Sequence, residues 1–163
     1  MTEQEPLGFG VVGLGMGQHH CRSISKAEGA RLIAVCDLRR ELAEQIAEQY
    51  GCKVYTDYHE MLADPAIQVV NVAVPTGRHA EVGIAAANAK KHVICEKPLD
   101  VNLEKADALI QACRENRVKL AGIFQRRLHP LSKRVKEVVE QGRLGKLIYA
   151  DIHLYWWRAA SYY

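Results

Sequence analysis

The stretch LGFGVVGLGMGQHH, residues 7–20, joins a short apolar run to closely spaced glycines and then to a helical pattern. The run through Val12 predicts a buried β-strand, and a helix is expected from about Gly17 to Ala27. Glycines between the two elements permit a tight turn and let a ligand approach the backbone at the start of the helix. The stretch therefore predicts an α/β unit with a phosphate-binding turn.

The alternation of apolar runs and helical patterns continues from Leu7 to Ala121. Near-continuous apolar strands separated by helices favour a parallel sheet covered on both faces, which is a doubly wound α/β fold. Asn102 is predicted to cap a helix that runs to Glu115. Leu103, Ala106, Ile110 and Cys113 are expected to lie on one apolar face of this helix. The further strands are predicted in RLIAVCD, CKVYTD, IQVVNVAVP, KHVICE and VKLAGIF.

The character of the sequence changes after Phe124. A strongly charged helix is predicted from His129 to Gly142, and LIYADIHLYWW has the composition of a strand with no helix after it. We therefore expect residues 1–124 to form one domain, and residues 125–163 to be the incomplete start of a second domain. Because YWWRAASYY ends in mid-pattern, we expect the sequence to be a truncated piece rather than a natural short protein.

Composition narrows the class of protein. The 163 residues are 48% hydrophobic and 25% charged, which is typical of a globular protein and excludes wholesale disorder. A net charge of +3 calls for neither a nucleic-acid nor a membrane partner. No signal peptide or apolar run of about 18 residues is present. Five scattered cysteines without a C-x-x-C pair favour a reduced, cytoplasmic protein.

The glycine turn and a later aspartate predict a dinucleotide site. The pattern G-x-G-x-x-G would place its third glycine at Gln18, but Gly17 comes one residue early; Gly13, Gly15, Met16 and Gly17 are the predicted contacts. Asp37 ends the second predicted strand, 24 residues beyond Gly13, where a carboxylate accepts hydrogen bonds from ribose hydroxyls.

The glycines and charges leave the ligand partly open. Asp37 disfavours the 2′-phosphate of NADP, whereas Arg39 and Arg40 are able to pair with it. NAD or NADP is therefore predicted, with NAD favoured. Methyl-donor-binding folds share G-x-G-x-G, but they would want an acidic residue where Val11 stands. His19 and His20 adjoin Cys21, but adjacent helical residues point in different directions, so structural or solvated histidines are expected and no metal site.

A second charged feature follows a predicted strand in VICEKPLD, residues 93–100. Ligands of open α/β sheets bind outside the carboxyl ends of strands, where Glu96 and Lys97 fall. A lysine beside a carboxylate is able to hold and polarise an alcohol or carbonyl. The alternative is a surface ion pair, which contributes little to stability.

Taken together, VAVPTGRHAEVGIAAANAKKHVICEKPLD, GIFQRRLHP and GRLGKLIYADI resemble the Gfo/Idh/MocA family of NAD(P)-dependent oxidoreductases. The resemblance spans essentially the whole chain and implies a Rossmann-type domain followed by the beginning of an α/β domain for substrate binding and oligomerisation. It implies hydride transfer between a nicotinamide cofactor and a sugar, inositol or related polyol. The shortened glycine loop is the departure from the family pattern, and it affects the pyrophosphate contacts.

The resemblance also implies roles for particular residues. Glu96 and Lys97 would stand beside the nicotinamide as the catalytic pair, with Lys97 on the substrate hydroxyl, and the Lys97–Pro98 bond would be cis. The remaining implied cofactor contacts are Val74, Pro75, Thr76 and His79 in the crevice, Gln125 at the nicotinamide amide, and Trp157 and Arg158 from the second domain. The family's acid/base histidine would lie beyond this sequence.

Two functions remain open at this level. The leading hypothesis is the cofactor-binding part of a dehydrogenase, with little or no turnover by itself. The alternative is a non-catalytic NAD(P)-binding module or subunit. Because an unpaired apolar strand tends to pair with another copy, we also expect a homo-oligomer that associates through residues 147–157.

Overall fold

The computed structural model describes residues 5–162, and it divides into two compact units, one ending at Phe124 and the other beginning at Gln125. In the first unit, six strands alternate with five helices. The strands are β1 (Leu7–Val12), β2 (Ala30–Cys36), β3 (Lys53–Tyr55), β4 (Val69–Val72), β5 (His92–Cys95) and β6 (Leu120–Gly122). The helices are α1 (Gly17–Ile24), α2 (Arg40–Tyr50), α3 (Tyr58–Leu62), α4 (His79–Asn88) and α5 (Leu103–Glu115).

The six strands form one parallel sheet in the order β3-β2-β1-β4-β5-β6. This confirms the doubly wound α/β prediction. The strand order reverses between β1 and β4, the place where ligands of such sheets bind. The register of the sheet aligns the carboxyl ends of the strands. Val12 lies opposite both Cys36 and Val72, and Val72 lies opposite Cys95.

Apolar side chains cover both faces of the sheet. One cluster packs Val70, Val72 and Val93 against α4 and α5, and the other packs Val11 and Val35 against α1 and α2. Strands that are buried on both faces cannot alternate polar and apolar residues, which explains their near-continuous apolar sequence.

Two details of the helices differ from the sequence prediction. Helix α1 ends at Ile24, three residues before Ala27. Asn102 does cap α5, accepting a hydrogen bond from the backbone N–H of Lys105, but the predicted apolar face is buried only in part, with Cys113 buried, Ala106 and Ile110 half-buried and Leu103 exposed. Leu103 is 78% exposed, and the buried residues are Leu109, Ala112 and Cys113. Periodicity defines an apolar stripe, but the docking of α5 on α4 and the sheet selects which edge of it is buried.

The second unit contains helix α6 (Pro130–Glu140), with the side chain of His129 as its N-cap, and a short 3-10 turn at Ala160–Tyr162. The predicted strand LIYADIHLYWW is wrong, because residues 147–157 adopt no regular secondary structure. A β-strand needs a neighbour for its backbone hydrogen bonds, and this segment pairs with none in residues 5–162. Within the described residues, the helices lack the length and apolar content that a membrane span requires.

Candidate functional site

The residues that follow the aligned strand ends stand in a row along one edge of the sheet. Asp37 follows β2, Gly13 follows β1, Ala73 follows β4 and Glu96 follows β5. Backbone hydrogen bonds join neighbouring loops at this edge: the Gly13 N–H donates to Cys36 O (2.8 Å), and the Glu96 N–H donates to Val72 O (3.0 Å). The sheet therefore brings the predicted glycine turn, acidic residue and Glu-Lys pair to one edge.

The three glycines of the turn differ in what surrounds them. Gly13 has φ +87°, and a Cβ there would lie 2.6 Å from the carbonyl oxygen of Ala73. Gly17 opens α1, where a Cβ would lie 2.9 Å from Val11 Cγ1, so Gly17 permits close packing of helix on strand. Gly15 has no atom within 4 Å of a built Cβ. Only at Gly15 does the missing side chain leave open space, which a ligand's phosphates would fit. Met16, beside it, is 51% exposed.

Asp37 is buried, and both of its carboxylate oxygens accept hydrogen bonds from its own chain. Its Oδ2 accepts a hydrogen bond from the backbone N–H of Leu14 (2.7 Å), which ties the carboxylate to the glycine turn. Arg39 donates to both oxygens, from Nε to Oδ1 (2.9 Å) and from Nη2 to Oδ2 (3.0 Å). Burial by itself would raise the pKa of Asp37, but the hydrogen bonds from Arg39 and Leu14 outweigh it and lower that pKa to about 2.

A cavity of about 880 Å³ opens beside Asp37. It is lined by Val12, Gly13 and Cys36 at the strand ends and by Val74 and Pro75 after β4. Tyr58 Oη and the guanidinium of Arg78 both donate to the carboxylate of Glu81 on its rim (3.0 and 2.7 Å to Oε1). A mostly apolar cleft with a carboxylate at one end fits the adenosine portion of a dinucleotide.

His79 lies behind this cavity rather than on its surface. It is 2% exposed, and its ring joins two loops: Nε2 faces Val74 O (2.8 Å) and Nδ1 faces Pro98 O (2.7 Å). Because both ring nitrogens face carbonyl oxygens of the chain, neither nitrogen is left for a ligand. Thr76 begins a 3-10 turn (Thr76–Arg78) ahead of α4.

Asp100 braces the same region, and sequence reasoning missed it. Its carboxylate accepts from the backbone N–H of Ala80 (2.9 Å) and of Val101 (2.7 Å). Burial would raise the pKa of Asp100, but these hydrogen bonds and the charges of Lys105 and His79 lower it. The loop after β5 is thus tied to the start of α4.

Glu96 and Lys97 have different environments. Glu96 is 6% exposed; its Oε1 lies 2.9 Å from His20 Nε2, and its Oε2 accepts from the backbone N–H of Lys97 (3.1 Å). The Lys97 residue is exposed, and the Lys97–Pro98 bond is cis, as the resemblance implied. Asn71, in the middle of β4, donates to His20 Nδ1 (2.9 Å).

His20 and Asn71 were not predicted as site residues. His20 was expected to be structural or solvated, and its side chain is in fact only 9% exposed. The available signal was Asn71, a polar residue inside the apolar run IQVVNVAVP, because a buried amide needs a partner.

The residues predicted from the second unit lie on an exposed segment of that unit. Trp157 is 84% exposed, and the guanidinium of Arg158 lies 4.9 Å from the centroid of the Trp156 ring. Gln125 begins the unit and is exposed as well.

A parallel sheet with this strand order, a glycine turn leading into α1, and an acidic residue after β2 define a dinucleotide-binding α/β domain. The model of the oxidoreductase family GFO_IDH_MocA, NAD-binding Rossmann fold, matches residues 7–124. The chain therefore belongs to the Gfo/Idh/MocA family, and these residues form its NAD-binding domain.

Individual relatives agree with the family match. The myo-inositol 2-dehydrogenase of Thermotoga maritima is 40% identical over 142 residues, which are 86% of this chain and 42% of the relative. The crystal structure of myo-inositol 2-dehydrogenase from Lactobacillus plantarum superposes with a TM-score of 0.83 at 31% identity, over 89% of this chain and 44% of that one. The WlbA dehydrogenase of Bordetella pertussis, in complex with NADH and UDP-GlcNAcA, gives 0.82 at 30% identity, over 86% and 44%. The chain thus spans less than half the length of these relatives.

Proposed function

We propose that this chain is the cofactor-binding part of a dehydrogenase that transfers hydride between a nicotinamide cofactor and a hydroxyl-bearing carbon of a polyol or sugar derivative. The observation that carries the proposal is the exposed Lys97 directly after the buried, anchored Glu96 at the carboxyl end of β5. A bound nicotinamide supplies the hydride acceptor or donor. The ammonium group of Lys97 holds and polarises the substrate oxygen, a role that requires an exposed, positioned cation.

The proposed cofactor site runs along the strand ends. Gly13, Gly15, Met16 and Gly17 take the pyrophosphate at the start of α1, where backbone N–H groups favour anions. The open space at Gly15 supports this, since a methyl group there would occupy room that phosphates need. After β4, Val74 and Pro75 line the cavity, and Thr76 follows them as a further proposed contact. Because both ring nitrogens of His79 face carbonyls, we propose that His79 shapes this part of the cavity rather than touching the cofactor.

We propose NAD as the preferred cofactor, through Asp37 at the adenosine ribose. The carboxylate lines the cavity, and its low pKa keeps it charged. Its charge repels a 2′-phosphate. Arg39 is the residue that would admit NADP, by leaving Asp37 to pair with that phosphate.

The remaining roles fall to the second unit. We propose that residues 125–163 begin a domain for substrate binding and oligomerisation, with Gln125 at the nicotinamide amide and Trp157 and Arg158 as further cofactor contacts. The inositol and sugar-nucleotide names of the relatives support a polyol or sugar substrate.

Two further proposals concern the protein's setting. The segment 147–157 carries large apolar residues that are each more than half exposed, among them Leu147, Ile148, Tyr149, Ile152, Leu154 and Trp157. This exposed apolar surface supports homo-oligomerisation through residues 147–157. All five cysteines are free, which agrees with a reducing compartment such as the cytoplasm.

Titration of the chain with NADH, followed by the fluorescence of the reduced nicotinamide, tests the proposal. Saturable binding that NAD competes away is expected, and no binding at millimolar NADH would contradict it. The alternative, a non-catalytic binding module, predicts the same titration. Supplying in trans the region of an inositol dehydrogenase relative that this chain does not match separates the two, because only an enzyme part would restore hydride transfer.

A further inference from the structure

A buried chain of three polar side chains links the phosphate-binding helix to the loop that carries Lys97. His20 on α1 lies between Asn71 of β4 and Glu96 after β5, at 2.9 Å from each. All three are largely buried, with side-chain exposure of 9% for His20 and 8% for Glu96 and a residue exposure of 5% for Asn71. These contacts cross from the first helix to the fifth strand.

The hydrogen bonds define which ring nitrogen of His20 carries the proton. The amide nitrogen of Asn71 donates, so Nδ1 of His20 accepts and carries no proton. The proton of the neutral ring is therefore on Nε2, which donates to Glu96 Oε1. The other oxygen of Glu96 accepts from the backbone N–H of Lys97. Both oxygens of Glu96 thus accept a hydrogen bond from the chain, which fixes the orientation of the carboxylate.

The side chain of Asn71 has an unfavourable feature that its contact with His20 explains. Its Oδ1 is the buried side-chain atom without a hydrogen-bond partner in the described part of the chain. In the middle of a sheet, a buried amide with one of its two polar atoms left without a hydrogen bond is less favourable than an apolar residue. The positions on either side of Asn71 hold such residues, Val70 and Val72. The hydrogen bond from this amide orients the ring of His20, which explains why a polar residue stands here.

We propose that His20 and Asn71 are positioning residues for the hydride-transfer site, acting through Glu96. Asn71 selects the Nε2–H form of His20, His20 holds the Glu96 carboxylate, and Glu96 holds the backbone of Lys97. A pyrophosphate seated at the start of α1 is thereby coupled to the loop beside the nicotinamide. This inference rests on the proposed function, and it moves Glu96 from a catalytic to a positioning role.

The first measurement needs no cofactor. Long-range ¹H–¹⁵N NMR of the 163-residue chain reports which His20 nitrogen is protonated. A protonated Nε2 with a bare Nδ1 is expected. A proton on Nδ1, in either the neutral or the doubly protonated ring, would overturn the proposed role of Asn71.

The second measurement is a double-mutant cycle on NADH affinity. His20→Leu and Glu96→Gln are each expected to weaken NADH binding about tenfold, and the double variant about tenfold rather than a hundredfold, as for residues within one hydrogen-bond network. His20→Gln restores a donor in place of Nε2–H and is expected to bind nearly as wild type. His19→Gln, at the exposed neighbouring residue, is the matched control and leaves binding unchanged.

The outcomes separate the two proposals. If wild type fails to bind NADH, the proposed function fails and this inference falls with it. If wild type binds and the effects of His20→Leu and Glu96→Gln simply multiply, the inference fails alone. A purely structural network would couple the unfolding free energies but leave the NADH affinities of the folded variants independent. Should His20→Leu not fold, His20→Gln binding no better than a Glu96→Gln variant would overturn the inference.

Discussion

Alanine at Gly13 and alanine at Gly15 are predicted to damage different properties of the protein. The two glycines are two residues apart in the same turn, but their surroundings differ. At Gly13 a methyl group would lie 2.6 Å from Ala73 O and 2.7 Å from Val74 N, with φ at +87°. At Gly15 the methyl group would meet no atom within 4 Å, and φ lies outside the left-handed range.

The magnitudes follow from these surroundings. For Gly13→Ala, an L-residue in the left-handed region costs about 1–2 kcal/mol. Overlap with backbone that cannot rotate away adds about 1–3 kcal/mol. A total near 3 kcal/mol would lower the melting temperature by on the order of 10 °C for a domain of this size. Gly15→Ala is expected to leave stability unchanged or to raise it by up to about 1 kcal/mol, because alanine restricts the unfolded chain.

Two assays distinguish the variants. Thermal unfolding followed by circular dichroism reports stability, and NADH fluorescence titration at a temperature where both variants are folded reports cofactor affinity. Gly15→Ala is expected to weaken NADH binding at least about tenfold, since its methyl group occupies the approach of the pyrophosphate. A Gly13→Ala variant as stable as wild type would refute the steric reasoning. A Gly15→Ala variant with wild-type affinity would refute the phosphate role of the turn.

Three further predictions test other parts of the molecule. In a full-length enzyme that carries this sequence, Lys97→Ala should reduce kcat at least about a hundredfold while NADH affinity stays within about twofold, because Lys97 acts on the substrate; intact turnover would contradict its role. The charge of Asp37 stabilises the fold above pH 3.8, its ordinary pKa, and this stabilisation is lost as pH falls through about 2. Arg39→Gln should raise the pKa of Asp37 in an NMR titration and shift acid unfolding to higher pH, and an unchanged titration would count against the pairing. Leu109→Ala should lower the free energy of unfolding in urea by about 2–5 kcal/mol, because Leu109 is buried. Leu103→Ala should lower it by less than about 0.5 kcal/mol, because Leu103 is exposed, and equal decreases would contradict the described packing of α5.

Much of the fold was predictable because its signals are local. Apolar runs and helical periods predicted six strands in the right places, and Asn102 was correctly expected to cap α5. The sequence predictions failed where the conformation or burial of a segment depends on a neighbouring element. The buried edge of α5 depends on the helix it packs against, and residues 147–157 have strand composition but no strand to pair with among the described residues.

The class of the protein follows from short patterns in the chain: the chemistry of the glycine turn, Asp37 and VICEKPLD can be interpreted without coordinates. The role of each side chain at the carboxyl ends of the strands depends instead on long-range contacts. In the folded chain, Asp37 accepts a hydrogen bond from the backbone of Leu14 in the glycine turn, and His79 joins two loops. Glu96 contacts His20, which lies on a helix and precedes it by 76 residues. Hydrogen bonds between residues so far apart depend on strand order and register, which no local pattern in the chain encodes.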